Sequence, residues 1–203
     1  MIEDRILEKI IKREKYNQAK LNHVEDIFSS SIWRSVRNRW IWPTINLCTA
    51  FIASRVIEVF ENTISHIVTL ATLMPIVACV GGNTGNQTTA IIIRAIALHQ
   101  VKKNNISFLF LRELGVALIN GIFCGSIAGI IIYFLYHSIK MSFIMTLAMI
   151  LNLMTAALIG VAIPLIMIKS GKDPAIGSSV IITAITDTSG FFIFLWLATL
   201  FLI

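Results

Sequence analysis

Charged residues are scarce in this sequence. Only 14% of the 203 residues are Asp, Glu, Lys or Arg, whereas 56% are hydrophobic and the mean hydropathy is +0.80. Soluble domains carry about 25% charged residues, so the composition excludes an ordinary soluble domain. The same numbers exclude an intrinsically disordered chain, because disordered segments are polar and highly charged. We therefore expect an integral membrane protein.

Side chains that bind metals or undergo redox chemistry are also few. The three cysteines lie apart in apolar runs, and none has a second Cys or a His at the spacing of a metal site. The four histidines are not paired at such a spacing either. No phosphate-binding glycine loop is visible. The sequence therefore implies neither a disulfide framework nor a Cys/His metal centre, and we do not expect an enzyme.

The basic residues are concentrated near the N-terminus. Nine of the 17 Lys and Arg fall within residues 1–39, and only two fall within residues 141–203. A basic segment before an apolar body does not resemble a nucleic-acid-binding surface, so nucleic acid is not an expected partner. The predicted domains are a basic, helical, cytoplasmic segment over residues 1–39 and a membrane domain over residues 40–203.

Apolar stretches predict five transmembrane helices, since each spanning helix needs about 20 mostly apolar residues. The predicted spans are residues 41–60, 64–98, 108–136, 143–168 and 175–203. An N-terminus in the cytoplasm places fifteen Lys and Arg residues inside and only Lys140 outside, which agrees with the positive-inside rule. The C-terminus is then outside. The predicted fold class is an all-α protein embedded in the lipid bilayer.

The second span is too long for a straight transmembrane helix. About 35 residues at 1.5 Å each would reach about 50 Å, whereas the hydrocarbon core is about 30 Å thick. Gly81, Gly82 and Gly85 lie within it, so we expect either a strong tilt or a break or kink at residues 80–87. Backbone freed at this depth must face protein or water. The amides expected beside such an ion path are Asn83, Asn86 and Gln87.

Asp187 is an acid within the fifth apolar span. It lies 13 residues after Pro174, which corresponds to about 20 Å along a helix and to the middle of the membrane. Intramembrane acids are costly and are functional candidates by default. The surrounding run T-A-I-T-D-T-S-G, residues 183–190, favours a water-lined wall. The alternative is a protonated or internally hydrogen-bonded carboxyl inside a helix bundle.

Three further polar positions have both a structural and a functional interpretation. Asn152, in the fourth span, either faces a pore or bonds to a neighbouring helix. Glu61, at the outer end of the first span, is either an ordinary interfacial acid or part of a pore mouth. Asp173 followed by Pro174 is typical of a helix N-cap with proline at the first helical position, and Asp173 is also a candidate for the cytoplasmic mouth.

Two spacings predict helix contacts rather than chemistry. Gly121, Gly125 and Gly129 recur every fourth residue in the third span, a pattern typical of closely packed membrane helices. Arg55 lies in the first span three residues before Glu58, and residues at this spacing share a helix face. We expect these two side chains to pair.

Several stretches resemble the MgtE family of magnesium transporters. The first is M-P-I-V-A-C-V-G-G-N-T-G-N-Q at residues 74–87, and the second is N-L-C-T-A-F-I-A-S-R-V-I-E-V-F-E-N-T-I at residues 46–64. The third is G-K-D-P-A at residues 171–175, which is followed by the run that contains Asp187. The similarity covers residues 25–203, in order and with matching spacing.

The resemblance implies a homodimer in which the second and fifth helices line a pore near the dimer axis. It implies that Asp187 holds a hydrated magnesium ion, assisted by the main-chain carbonyl of Thr183. Magnesium retains its water and prefers a few carboxylates, and it would be the transported substrate rather than a resident cofactor. The other pore-lining candidates are Gly81, Gly82, Asn83, Asn86, Gln87, Asn152 and Ser179, and the pore-mouth candidates are Asp173 and Glu61.

The leading function is passive magnesium uptake by a channel or transporter, expected in the inner (plasma) membrane of a bacterium. One alternative is a proton-coupled carrier that uses Asp187 as its relay. Another is a non-transporting or degenerate membrane subunit. Members of the family carry a long cytoplasmic regulatory region, whereas only residues 1–39 precede the first span here. Gating by that region is therefore not implied, and a separate regulatory subunit is a further candidate partner.

Overall fold

Helices account for nearly all of the chain that the computed structural model describes, namely residues 32–98, 100, 105–171, 174 and 177–202. No strand occurs in these residues, so the all-α prediction is confirmed for them. The part of the N-terminal segment before residue 32 lies outside the described residues. The helices are α1 (Ile32–Arg39), α2 (Ile41–Val59), α3 (Glu61–His66), α4 (Thr69–Ala97), α5 (Ile106–Tyr136), α6 (Ile139–Lys169) and α7 (Ser178–Leu202).

Three of the five predicted spans meet both the length and the apolarity needed to cross a membrane, and these are α5, α6 and α7. The 19 residues of α2 and the 29 residues of α4 are also helical. Their polar residues lower their hydropathy: α2 includes Arg55 and Glu58, and α4 includes the G-G-N-T-G-N-Q run at residues 81–87. The first and second spans therefore stay predictions.

The second predicted span differs from the helix that is observed. Residues 64–66 belong to the short helix α3, which ends at His66 and is followed by Ile67, where φ is −134° and ψ is 78°. The long helix α4 then begins at Thr69 and continues without interruption to Ala97. The structure does not confirm the predicted break, because residues 80–87 are helical like the rest of α4. A bend of its axis stays a prediction.

The helix α6 lies at the centre of the unit formed by Thr44–Ile203, because it packs against α4, α5 and α7. The hydrophobic core is formed by the start of α4, the end of α5, the first half of α6 and the end of α7. Its largest fully buried side chains include Leu70, Ile132, Ile144, Met145 and Phe194. The core holds the four helices together at one end of the bundle. The polar positions of α4 and α7 lie outside this core, closer to the middles of the two helices.

The predicted glycine stripe of α5 faces α6, and close packing is confirmed there. A Cβ atom on Gly125 would lie 2.9 Å from the carbonyl oxygen of Thr146, a Cβ atom on Gly121 would lie 2.9 Å from an atom of α6, and one on Gly129 would lie closer still to Thr146 Oγ1. Thr146 Oγ1 donates to the carbonyl of Gly125 at 3.0 Å, and Ser142 Oγ donates to that of Gly129 at 2.7 Å. Small residues therefore let the two backbones approach, and hydroxyls bond across the contact.

The helix α2 contributes little to the core. Ala53 is its one buried residue, although the helix is 19 residues long. Arg55 and Glu58 form the predicted ion pair, and both side chains are mostly exposed. The predicted pairing is confirmed. The ion pair lies on a helix whose surface is mostly exposed.

The last helix begins later than the sequence predicts. Pro174 lies in a turn, and α7 starts at Ser178, four residues further along. The prediction that Pro174 occupies the first helical position is therefore wrong, and Asp173 lies outside the described residues. The preceding helix α6 ends at Lys169, and Gly171 follows with φ of +71°, a left-handed conformation that glycine adopts readily after a helix.

Candidate functional site

Glycines on α4 let α7 approach its backbone closely. A Cβ atom on Gly85 would lie 2.7 Å from Ile182 Cγ2, so a larger residue there would force Ile182 or its helix to shift. A Cβ atom on Gly82 would lie 3.7 Å from Asp187 Oδ1 and 3.7 Å from Thr186 Oγ1. The carboxyl of Asp187 therefore lies beside the backbone of α4, at van der Waals distance from the position of a Cβ atom on Gly82.

Asp187 is the tenth residue of α7, about 14 Å from the start of the helix. Its side chain is half-buried. Within the described residues, no Lys or Arg forms an ion pair with it. A carboxyl without a cationic partner at this depth is costly in a membrane protein, which makes Asp187 the strongest candidate for a group that meets a mobile cation.

Asn86 and Thr183 meet one helical turn away from Asp187. Asn86 Nδ2 donates to Thr183 Oγ1 at 3.4 Å. The main-chain carbonyl of Thr183 accepts a hydrogen bond from Thr186 Oγ1 at 3.1 Å. The structure thus brings together four predicted site residues, Gly82, Asn86, Thr183 and Asp187, along one contact between α4 and α7.

Asn83 and Gln87 lie on an exposed face of α4. They are four residues apart and therefore share that face. Asn83 Nδ2 has a long contact of 3.6 Å with Cys79 Sγ, a weak acceptor. Amides exposed to hydrocarbon are costly, so this face of α4 requires either water or a protein surface against it.

Asn152 joins α6 to α4. Its side chain is fully buried, and Nδ2 donates to the carbonyl oxygen of Val77 at 2.8 Å. A Cβ atom on Gly190 would lie 3.0 Å from the same Nδ2, and Gly81 is also in close contact with this amide. Of the two interpretations of Asn152, the structure shows the interhelical bond. Its Oδ1 is buried without a hydrogen-bond partner in the described part of the chain.

The other predicted positions lie towards the ends of α7. Ser179 is exposed in the first turn of that helix. Glu61 is exposed at the start of α3, and it lines a surface cavity of about 440 Å³ together with Arg55 and Glu58. The hydroxyls of Thr63 and Thr199 lie 2.8 Å apart and tie α3 to the end of α7. The structure therefore does not bring Ser179 or Glu61 to Asp187.

Glu113 is a buried acid that the sequence analysis missed. It lies in the first third of α5 and is only 6% exposed. No hydrogen bond or ion pair of its carboxyl occurs among the described residues. One signal could have identified it: Glu113 and Ala117 extend the four-residue spacing of the glycine stripe, so they share its buried face.

The described residues contain no cluster of three potential metal ligands among their His, Cys, Asp and Glu side chains. Asp187 is the one acid in the sequences of α4 and α7. A single carboxylate and nearby hydroxyl, amide and carbonyl groups suit an ion that keeps most of its water, rather than a fully dehydrated ion in a protein cage.

One known family matches the larger part of this chain. The model of the MgtE family, described as a divalent cation transporter, matches residues 74–197. The chain belongs to the MgtE family. The matched region begins within α4 and ends within α7, so it includes the whole α4–α7 contact around Asp187. Family membership and the apolar helices establish a membrane protein.

Three curated relatives are each called magnesium transporter MgtE. The protein from Bacillus subtilis is 27% identical over 201 residues, which are 98% of this chain and 45% of the relative. The Thermus thermophilus protein is 29% identical, over 79% of this chain and 36% of the relative. The Enterococcus faecalis protein is 27% identical, over 88% and 39% respectively. The chain thus spans less than half the length of these MgtE relatives.

Proposed function

We propose that this chain forms a passive uptake path for magnesium ions, in which Asp187 holds the hydrated ion. The observation that carries the proposal is the position of the Asp187 carboxyl, 3.7 Å from where a Cβ atom of Gly82 would lie. A glycine at this position leaves room beside the carboxylate for an ion and its water. The names of the three relatives, all magnesium transporters, support magnesium as the substrate.

The proposed path is completed by a second copy of the chain. One copy supplies a single carboxyl, and a divalent ion is better neutralised by two. The exposed amides of Asn83 and Gln87 lie on the same helix as Gly82, and a partner copy or the water of a shared pore would satisfy them. In this homodimer α4 and α7 of both copies line the pore, and the main-chain carbonyl of Thr183 faces the hydrated ion.

The driving force is the electrochemical gradient. With the N-terminus in the cytoplasm and the C-terminus outside, magnesium enters towards the negative side of the membrane. A divalent ion that crosses a potential of 100 mV gains about 4.6 kcal/mol, twice the value of ~2.3 kcal/mol for a single charge. Uptake therefore needs no chemical energy source, and the proposed location is the bacterial plasma membrane.

The decisive experiment is magnesium flux into liposomes that contain the purified chain and a magnesium-sensitive dye. An inside-negative potential is imposed with potassium and valinomycin. We expect uptake by the wild type and uptake at the level of empty liposomes for Asp187→Asn, because the variant keeps the size of the side chain but removes its negative charge.

Thr188→Val is the matched control. Thr188 is the next residue on α7, and its Oγ1 donates to the carbonyl of Ala184 within the same helix. It lines a different cavity, between α2 and α7. This variant is expected to transport like the wild type. Undiminished uptake by a correctly inserted Asp187→Asn protein would refute the role of Asp187, and proton flux without magnesium flux would favour the proton-coupled carrier.

A further inference from the structure

The helix α1 carries an exposed apolar stripe. Ile32 is 84% exposed, Trp33 is 78% exposed and Val36 is 48% exposed. Spacings of three and four residues place these side chains on one helix face. An exposed stripe of large apolar side chains indicates a surface that binds something apolar.

The same segment is strongly basic. Between Asp26 and Glu58 the sequence contains four Arg residues and no acid, and three of them, Arg34, Arg37 and Arg39, belong to α1. The side chain of Arg37 is exposed. A surface that binds this helix must therefore combine an apolar phase with negative charge. A membrane surface that contains anionic phospholipids has both properties, and aromatic and basic residues are typical of helices that lie at such a surface.

Chain connectivity links α1 directly to the first predicted span. The helix ends at Arg39, and α2, the first predicted span, begins at Ile41, so α1 cannot be far from the lipid headgroups. We propose that α1 is an interfacial helix, which inserts its Ile32–Trp33–Val36 stripe into the headgroup boundary and binds anionic phospholipid headgroups through its basic charge. The proposal requires a membrane protein but does not depend on the transported ion.

Trp33 provides a native probe for this proposal. The full chain with Trp40→Phe, Trp42→Phe and Trp196→Phe retains Trp33 as its one tryptophan. It is reconstituted into vesicles of phosphatidylcholine alone, or of phosphatidylcholine mixed with phosphatidylglycerol. Quenching by lipids brominated near the headgroup reports insertion, and quenching by aqueous acrylamide reports exposure to water.

In the vesicles that contain phosphatidylglycerol, we expect strong quenching of Trp33 by brominated lipid and weak quenching by acrylamide. Arg37→Gln is expected to lower the ratio of bound to unbound helix about fivefold, because each basic residue near an anionic surface contributes about 1 kcal/mol to binding. Arg37→Lys is expected to retain binding, because Lys and Arg contribute about equally. The combined Arg34→Gln, Arg37→Gln and Arg39→Gln variant is expected to abolish the dependence on phosphatidylglycerol.

The matched control removes three charges elsewhere in the N-terminal segment, through Lys9→Gln, Lys12→Gln and Lys15→Gln. It has the same net charge as the triple arginine variant and is expected to behave like the parent chain. Three results would overturn the proposal. These are equal quenching by acrylamide in both kinds of vesicle, insertion that is independent of phosphatidylglycerol, and a Trp33 reached by neither quencher, which would indicate a protein surface over α1.

Discussion

Two helix contacts in this protein are built with glycines but contain different polar groups. In the α5–α6 contact, the hydroxyls of Thr146 and Ser142 donate to glycine carbonyls of the facing helix. In the contact of α4 with α6 and α7, an amide oxygen of Asn152 has no partner among the described residues, and the carboxyl of Asp187 has no ion pair there. The first contact is therefore satisfied within the chain, whereas the second retains polar groups that can bind an ion or water.

Gly82 differs from the glycines that both contacts need for close packing. At Gly125 a Cβ atom would meet a backbone oxygen at 2.9 Å, so the glycine is required for packing. At Gly82 the nearest atoms would be at 3.7 Å, an ordinary van der Waals distance that alanine can adopt. Gly82 is therefore not required by sterics, and its small size keeps the space beside Asp187 open.

The largest expected effect on transport among variants that keep Asp187 comes from Gly82→Ala. The added methyl group would occupy space beside the carboxylate that a hydrated ion needs, and we expect magnesium uptake to fall at least about tenfold, equivalent to ~1.4 kcal/mol. Liposome flux measures this loss, and thermal unfolding is expected to stay at the wild-type temperature. A variant with normal uptake would show that the space beside Asp187 is not used by the ion.

Gly125→Ala is expected to have the opposite profile. Because the new Cβ atom would meet the carbonyl oxygen of Thr146, overpacking should destabilise the protein by about 1–3 kcal/mol. Thermal unfolding in detergent, followed by size-exclusion chromatography, measures the change. Uptake per folded molecule should stay constant. A specific loss of flux without a loss of stability would contradict the purely structural role of the α5–α6 contact.

Asn152→Ala tests the amide that joins α6 to α4. The variant loses the hydrogen bond to the carbonyl of Val77 and leaves a small cavity beside Gly81, so we expect a loss of stability of about 1–2 kcal/mol. Thermal unfolding measures it. Thr155→Ala is a matched control on the same helix, since Thr155 Oγ1 donates only to the carbonyl of Leu151 in its own helix. Equal stability of the two variants would mean that the Asn152 bond contributes nothing.

The smallest expected effect is that of Thr89→Val, which conserves volume but removes one hydrogen bond. Thr89 Oγ1 donates to the carbonyl of Gly160 at 3.0 Å, and both residues are buried. Interhelical hydrogen bonds of this kind average about 0.6 kcal/mol in membrane proteins. Unfolding in a mild denaturant series should show a shift of this size. A shift several times larger would indicate that Thr89 belongs to a wider polar network.

Much of the candidate site could be predicted because it follows from local patterns. Asp187 was identifiable as an acid within an apolar span, and the stripe of Gly121, Gly125 and Gly129 was identifiable from its spacing. The ion pair of Arg55 with Glu58 also follows from spacing. These features depend on residues three or four positions apart, whose relation is set by the geometry of a single helix.

Features that depend on a neighbouring helix were predicted less well. The alternatives for Asn152 could not be separated from the sequence, since its partner Val77 is 75 residues away. The glycines of α4 suggested a break, yet they serve to admit α6 and α7 while the helix continues. The burial of Glu113 was missed although its four-residue spacing from Ala117 and Gly121 places it on the face of the glycine stripe.

The sequence by itself determined that this protein is helical and belongs in a membrane, because apolar composition and hydrogen bonding within each helix are local properties that need no tertiary contact. The tertiary structure alone decided that α4 is continuous, that α7 begins at Ser178, and that Gly82 and Asn86 lie against Asp187 and Thr183. The physical reason is that packing between helices depends on which surfaces meet over long sequence separations, where removing one Cβ atom can bring two backbones together.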